Sequence, residues 1–276
     1  MIFTFKAWER FCKELASARR ISRPLCEITA DDKTYVSLKH DVETDAPKAY
    51  KMAQIEHKYG HRSTFYIQAY LMEKSENVEL FRKMQEMGHE LSYHYDVMDS
   101  NKGDIEGAIA EFEKNKKIFE DNGFALVTVC QHGNPVVERV GYTSNRDFFR
   151  NERVRALYPE ISDIMVNFKD AVPTEYKYFS DAGRKFKMIY DPINNDVANS
   201  DGKNVIYDNL SGVLGALETE RGNIISTHPH RYRKSALVYV ISATSFTIIK
   251  SMAKLLLKIP FMKKFMSRFY YLAKKI

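Results

Sequence analysis

The chain has 276 residues, 44% of them hydrophobic, so one α/β domain of about 200 to 250 residues with short appendages accounts for its length. Its net charge of +6 is uneven, because residues 231–276 hold eleven Lys or Arg and no Asp or Glu, which leaves 6 − 11 = −5 for the rest. An acidic main body argues against a nucleic-acid partner, whose binding face needs positive charge. Three scattered cysteines, Cys12, Cys26 and Cys130, argue against a disulfide framework or a zinc ribbon.

The N-terminal segment lacks the pattern of a secretory signal. Charged residues between Lys6 and Glu14 interrupt its apolar stretch, and no small-residue cleavage site follows. We therefore expect a cytoplasmic protein.

Hydrophobic spacing predicts helices and strands that alternate along the chain. In chain order they are a helix at 5–19, a strand at 34–39, a helix at 46–59, a strand at 62–67, a helix at 78–87, a strand at 89–93, a helix at 104–121 and a strand at 125–129. The pattern weakens after 133, where short strands are predicted at 176–179 and 186–190, and it returns as a strand at 222–227. This alternation predicts a parallel sheet, open or closed into a barrel, with functional loops at the carboxyl ends of its strands.

Histidines and carboxylates follow four of these strands. The four segments are His40-Asp41-Val42-Glu43, His94-Tyr95-Asp96, His132-Gly133-Asn134-Pro135 and His228-Pro229-His230. Parallel strands bring their carboxyl ends together, and imidazole and carboxylate groups are suitable ligands for a divalent ion. Asp41 and Glu43 are alternate residues that point the same way, so one could contact a metal while the other accepts a proton from water.

Two stretches carry a resemblance to a known family. VSLKHDVETDAPKAYKMAQIEHKYGHRSTFYI and the later MGHELSYHYD resemble the opening of polysaccharide deacetylases, a carbohydrate esterase superfamily. The resemblance covers residues 34–230 and implies an α/β fold, the distorted (β/α)7 barrel. It also implies that Asp41 is the catalytic base, that Glu43 or Asp41 itself holds a metal, and that His94 is a further ligand.

Two later segments add to the resemblance. THPH, which follows the apolar strand at 222–227, is similar to the family's final motif, in which a histidine protonates the leaving amine. His228 stands at that position. The segment 178–181 is similar to the loop whose carboxylate, here Asp181, tunes that histidine.

The second family motif departs from the pattern. The family places two histidines four residues apart, whereas Met98 stands four residues beyond His94, and a thioether is a poor ligand for a hard or borderline cation. His132 is our first choice for the missing ligand, with His89 and Asp96 as weaker substitutes.

The predicted site therefore has three groups of residues and a divalent ion, zinc. The groups are Asp41 and His228 for catalysis; Glu43, His94 and His132 for the metal; and Tyr95, Asn134 and Pro135 for the substrate.

Structural roles are open for several of these residues. Glu43 could instead cap the helix that begins near Ala46, and His132 could fix the Gly133-Asn134-Pro135 turn. Cys130 beside His132 could form a nucleophile pair, which the spacing does not favour. We assign structural or peripheral roles to the others, namely His57, His61, His89, Asp181 and His230.

The C-terminal segment has a composition of its own. Residues 235–249 are fifteen uncharged residues, fewer than the ~20 that span a bilayer, and beyond them apolar residues alternate with regularly spaced cations. This pattern is typical of a basic amphipathic helix in a membrane interface, although such a helix could also pack on the barrel. We predict an N-terminal helical segment at 1–30, the barrel at 31–232 and this tail at 233–276.

The function expected from these features is metal-dependent hydrolysis. The predicted substrate is an acetylated amino sugar of a glycan or of a lipid-linked glycan precursor, at the cytoplasmic face of the membrane. Two alternatives stay open: hydrolysis of a non-peptide C–N bond in a small molecule, and a catalytically silent glycan-binding module.

Overall fold

Strands and helices alternate along the computed structural model, which describes residues 3–134, 137–196 and 201–245. The strands are β1 (Tyr35–Val42), β2 (Thr64–Ile67), β3 (Glu90–Tyr95), β4 (Thr128–Gln131), β5 (Ser162–Asp163), β6 (Tyr176–Ser180), β7 (Phe186–Ile189), β8 (Val205–Tyr207) and β9 (Gly222–Thr227). The helices are α1 (Phe5–Ser17), α2 (Ala46–Lys58), α3 (Ser75–Glu86), α4 (Val97–Ser100), α5 (Ile105–Asp121), α6 (Asp147–Arg150), α7 (Glu152–Leu157), α8 (Phe168–Ala171), α9 (Leu210–Gly215) and α10 (236–245).

The strands form one sheet with the order β5-β4-β3-β2-β1-β9-β6-β7-β8. Every pairing from β5 to β6 is parallel, and β7 and β8 add antiparallel pairings at one edge. No ladder joins β5 to β6 within the described residues, yet the Tyr176 hydroxyl at the start of β6 donates to the Ile164 carbonyl just beyond β5, at 3.4 Å. The parallel strands therefore curl into a barrel with a gap, and the prediction of a distorted (β/α)7 barrel is confirmed.

The two faces of β1 have opposite characters, because side chains alternate along a strand. Leu38 and Val42 lie in the apolar cluster between the barrel and its helices. Lys39 faces the interior, where its ammonium contacts the Tyr178 hydroxyl at 3.3 Å and the Ser226 hydroxyl at 3.4 Å. The interior at this level is polar, and it carries the chemistry described below.

A buried polar network joins the outer face of β1 to the helices. Glu56 of α2 accepts a hydrogen bond from Trp8 Nε1 at 2.8 Å, lies 3.0 Å from His40 Nε2, and also accepts a hydrogen bond from the Ser63 hydroxyl. The other ring nitrogen of His40 lies 2.6 Å from the Thr227 hydroxyl. Buried polar groups need such partners, so the network fixes α1 and α2 against the strands that lead to the site.

The first half of the chain follows the predicted elements closely. One difference bears on the site: β1 runs on to Val42, three residues beyond the predicted end, and so carries Asp41 within the strand. Asp45, not Glu43, caps α2, since its side chain accepts from the Lys48 amide. The elements between 137 and 222 are mostly of two to six residues, too short to carry a hydrophobic period.

The C-terminal described element is α10, which follows a bridge between Thr4 and Arg233. Among the described residues, no helix is both long enough and apolar enough to cross a bilayer. The predicted tail from residue 246 onward lies outside the described residues.

Candidate active site

The candidate site lies where β1, β3, β4 and β9 end, and the Glu43 carboxylate stands among its histidines. Glu43 Oε1 is 3.5 Å from His132 Nε2 and 3.5 Å from His228 Nε2, and Oε2 is 3.9 Å from His230 Nδ1. The Tyr70 hydroxyl donates to the Glu43 carbonyl, which holds the segment after β1 in place. These side chains converge from separate strands, as the carboxyl ends of parallel strands allow.

The spacing of these atoms suits a shared cation. Two ligand atoms that each lie about 2.1 Å from a tetrahedral ion are about 3.4 Å apart, whereas N–H···O hydrogen bonds measure about 2.7 to 3.2 Å. The 3.5 Å between Glu43 and His132 fits the first case. Ligand atoms of Glu43, His94 and His132 all lie within 4.8 Å of one another, so the structure brings the three predicted metal ligands together.

Two buried histidine nitrogen atoms at this cluster lack partners. Among the described residues, His132 Nδ1 and His230 Nδ1 have no hydrogen-bond partner. His132 Nδ1 lies 3.8 Å from Asp96 Oδ2, beyond hydrogen-bond distance. Buried polar atoms are normally partnered, so these two nitrogens are exceptions at the edge of the cluster.

His94 is held with one nitrogen directed to the site. Its Nδ1 lies 3.0 Å from the Cys130 carbonyl, an acceptor, so Nδ1 carries the proton and Nε2 is left with a free electron pair. Burial lowers the pKa of His94 to about 4, and the ring is therefore neutral at physiological pH. A neutral imidazole with a fixed tautomer is the form that binds a metal.

Asp41 is paired with a buried lysine. Lys39 Nζ lies 2.7 Å from Asp41 Oδ1 and 2.8 Å from Oδ2. Burial by itself raises the pKa of Asp41, but Lys39, His94 and His228 outweigh burial and lower the pKa to about 2. Asp41 is therefore ionised, and Oδ2 lies 3.8 Å from His228 Nε2 at the site.

His228 is oriented by a second buried carboxylate. Asp181 Oδ1 lies 2.5 Å from His228 Nδ1, and Asp181 Oδ2 accepts from the His228 amide at 3.1 Å. Arg231 donates to the same carboxylate at 2.7 Å. Burial by itself raises the pKa of Asp181, but Arg231 and His228 outweigh burial and lower the pKa below its usual value. Asp181 is therefore an anion, and it fixes the histidine with Nε2 toward the site. The structure thus places Asp181 in direct contact with a predicted catalytic residue.

Cys130 lies next to the site but has the properties of a neutral thiol. Its sulfur is close to Asp41 and His94, in a second group whose ligand atoms lie within 4.8 Å of one another. Burial raises the pKa of the Cys130 thiol despite the nearby Lys39. A thiol of raised pKa is a poor nucleophile, which agrees with the interpretation that the spacing to His132 makes no nucleophile pair.

Two of the three predicted substrate residues, Tyr95 and Asn134, lie in the described part of the chain. Tyr95 lies on the outer face of β3, fully buried, where its hydroxyl donates to Asp163 and its ring packs against Phe112 and Phe148. Tyr95 therefore lies away from the site, because successive side chains along a strand point to opposite faces and Tyr95 follows His94. Asn134 is buried and its carbonyl accepts from Arg139 at 2.9 Å, and Pro135 lies outside the described residues.

Of the two weaker ligand candidates, Asp96 lies beside the cluster, with Oδ2 3.8 Å from His132 Nδ1, whereas His89 is accounted for by other contacts. His89 precedes β3, at the opposite end from the site, where its Nδ1 accepts from the Ser63 amide at 3.0 Å. His61 is buried between the Ser22 amide and the Cys12 carbonyl. Both are structural residues.

The sequence reading missed Lys39, although a signal was present. Ser37, Lys39 and Asp41 alternate with Val36 and Leu38, which indicates a polar face toward the interior. The same alternation places His40 on the outer face, away from the site.

Comparisons with known proteins give remote similarities. No family model and no curated protein matches the chain. Among solved structures, the chain is similar to a CE4 esterase of Streptococcus mutans, with 12% identity, 85% of this chain and 91% of that chain covered, and a TM-score of 0.45. It is also similar to the peptidoglycan deacetylase PdaC of Bacillus subtilis, with 15% identity, 76% and 80% covered, and a TM-score of 0.42.

A third similarity is to a mutant CE4-family pseudoenzyme with restored activity, with 12% identity, 81% of this chain and 64% of that chain covered, and a TM-score of 0.38. The chemistry and substrate of this chain depend on its own residues.

Proposed function

We propose that the protein is a metal-dependent hydrolase that removes an acetyl group from an amino sugar of a glycan. One observation carries the proposal. Two oriented pairs, Lys39 with Asp41 and Asp181 with His228, bring a carboxylate and an imidazole to within 3.8 Å of each other beside the ligand cluster. An ionised base, an oriented acid and a ligand cluster are the groups that amide hydrolysis requires.

The residues that would hold the ion are Glu43, His94 and His132. Their oxygen and nitrogen donors suit zinc, and three protein ligands leave a position open for reactants. When bound there, the ion would polarise the acyl carbonyl and lower the pKa of water, which a carboxylate as weakly basic as Asp41 requires.

Asp41 is the proposed base. Its carboxylate is ionised at neutral pH, and it accepts the proton of the attacking water. Lys39 contributes by holding both oxygens in one orientation and by opposing the effect of burial on the charge. Lys39 is a positioning residue, since its ammonium contacts Asp41 within the barrel.

His228 is the proposed acid. As the C–N bond breaks, its Nε2 donates a proton to the departing amine, and Asp181 stabilises the imidazolium that precedes this step. The 2.5 Å contact between the two side chains also fixes the tautomer.

The substrate class rests on the resemblance to polysaccharide deacetylases in the HDVE and THPH segments. We further propose that the glycan is lipid-linked and that the enzyme acts at the cytoplasmic face of a membrane. Met98 does not weaken the proposal, because its side chain is buried in the apolar core and His132 occupies the cluster instead.

The test uses the full chain, stripped of metal and then supplied with zinc. Acetate release from N-acetylglucosamine oligomers and from a lipid-linked N-acetylated amino sugar is expected with zinc and not without it. His57→Ala is a matched control for His228→Ala, since His57 is an exposed histidine outside the cluster. Zinc binding without acetate release from any acetylated sugar would contradict the substrate class, and absence of zinc binding would contradict the hydrolase.

A further inference from the structure

Helix α10 has one face fixed to the body of the protein. Tyr239 is buried with its ring 5.9 Å from the ring of Phe3. Ala243, one turn further along, packs against the same core. Arg233 donates to the Ser242 hydroxyl at 2.9 Å. These contacts determine which side of the helix faces outward.

The outward face of α10 is apolar. Leu237 is 71% exposed, Val238 47%, Val240 51% and Ile241 58%. At 3.6 residues per turn these positions share the side opposite Tyr239. Four large apolar side chains on adjacent turns form a contiguous patch, unlike a solitary exposed residue, and such patches mark interaction sites.

The sequence that follows this patch is basic. Residues 246–276 contain eight Lys or Arg and no Asp or Glu, together with apolar residues such as Leu255, Ile259 and Phe265. The net charge of the chain before residue 231 is negative, so the net positive charge comes from the end that carries the apolar patch.

We propose that the outward face of α10 binds the surface of an anionic lipid bilayer. Apolar side chains beside cations satisfy both parts of such a surface, the acyl boundary and the anionic headgroups. A second copy of the chain fits less well as the occupant, because it would bring two sets of eight cations together.

The experiment measures co-sedimentation of the full chain with vesicles of phosphatidylcholine, alone or mixed with phosphatidylglycerol. Binding to the anionic vesicles is expected to be about tenfold tighter or more, and added salt should weaken it only in part. Leu237→Ser combined with Ile241→Ser should weaken it about tenfold or more, since the burial of two large side chains is lost.

The matched control combines Val140→Ser with Ile206→Ser, which removes two exposed apolar side chains, 81% and 56% exposed, from other parts of the surface. This variant should bind vesicles like the unmodified chain. Equal binding to neutral and anionic vesicles, or unchanged binding of the α10 variant, would overturn the proposal. So would a dimer that the α10 variant converts to monomer without any vesicle binding by either form. None of these readouts uses enzymatic activity, so they stand apart from the proposed hydrolysis.

Discussion

Lys39 Nζ lies 2.7 Å from one carboxylate oxygen of Asp41 and 2.8 Å from the other, and both side chains are buried inside the barrel. Removing one partner of a buried ion pair leaves the other charge uncompensated, which costs about 3 to 5 kcal/mol. Removing both avoids that cost.

The first prediction follows from this pair. In the metal-free protein, Asp41→Asn should lower the free energy of unfolding by about 3 to 5 kcal/mol, because Lys39 is left buried without its anion. Adding Lys39→Met should restore most of the loss. Urea unfolding of the two single variants and the double variant measures the coupling. Additive losses would show that the two charges do not stabilise each other.

The second prediction concerns how Lys39 acts in catalysis. Lys39→Met should lower kcat because Asp41 loses its orientation, and Asp41→Asn should lower it by a factor of about 10² or more. In the Asp41→Asn background, Lys39→Met should cause no further loss, since it acts only through the carboxylate. Lys39→Arg, which keeps the charge, should retain more activity than Lys39→Met. Independent, multiplicative losses would contradict a positioning role.

The third prediction concerns Asp181 and His228. His228→Ala should lower kcat by a factor of about 10² or more, and Asp181→Asn should lower kcat with little change in KM, because the imidazolium loses its counter-ion. The double variant should be no slower than His228→Ala alone. Steady-state kinetics with acetate detection provides the measurement. If Asp181→Asn changed KM alone, Asp181 would serve substrate binding instead.

The fourth prediction is a pH dependence of stability at the opposite end of the barrel. Burial lowers the pKa of His89 from 6.5 to about 4. The unfolded chain therefore takes up a proton at higher pH than the native state. The stability that the neutral His89 contributes to the native state is fully present above about pH 6.5 and is lost as the pH falls toward 4.

In the metal-free protein, His89→Asn should lower the stability at pH 7 and flatten its slope between pH 6.5 and 4. Between pH 6.5 and 4 the free energy of unfolding should fall by about 3 kcal/mol more in the unmodified protein than in the variant. Urea unfolding across this pH range compares the two proteins, and the other titrating histidines contribute equally to both. Parallel curves would show that His89 does not titrate as its burial requires.

Much of the fold could be predicted because long elements carry a clear period. α1, α2, α5 and β9 were predicted at or within two residues of their observed bounds, and the alternation of helix and strand predicted the parallel sheet. β5 was missed because two residues carry no period. The antiparallel pairing of β7 and β8 depends on contacts distant in sequence, which a local pattern does not contain.

The candidate site was predicted unevenly for a similar reason. Strand ends identify which residues share an edge of the sheet, and Glu43, His94 and His132 do converge. Whether a residue at a strand end reaches the site depends on which face of the strand it lies on. Tyr95 follows His94 by one residue and therefore lies on the other face, whereas Lys39 precedes Asp41 by two and lies on the same face.

The central claim is that Glu43, His94 and His132 hold a divalent ion, and zinc-edge X-ray absorption of the zinc-loaded full chain tests it most directly. Cys130 offers a sulfur ligand to a competing group with Asp41 and His94, so the two sets differ in the element next to the metal. We predict only oxygen and nitrogen neighbours at about 2.0 to 2.2 Å, with a spectrum that Cys130→Ser leaves unchanged. A sulfur neighbour at about 2.3 Å that disappears in Cys130→Ser would contradict the proposed ligand set.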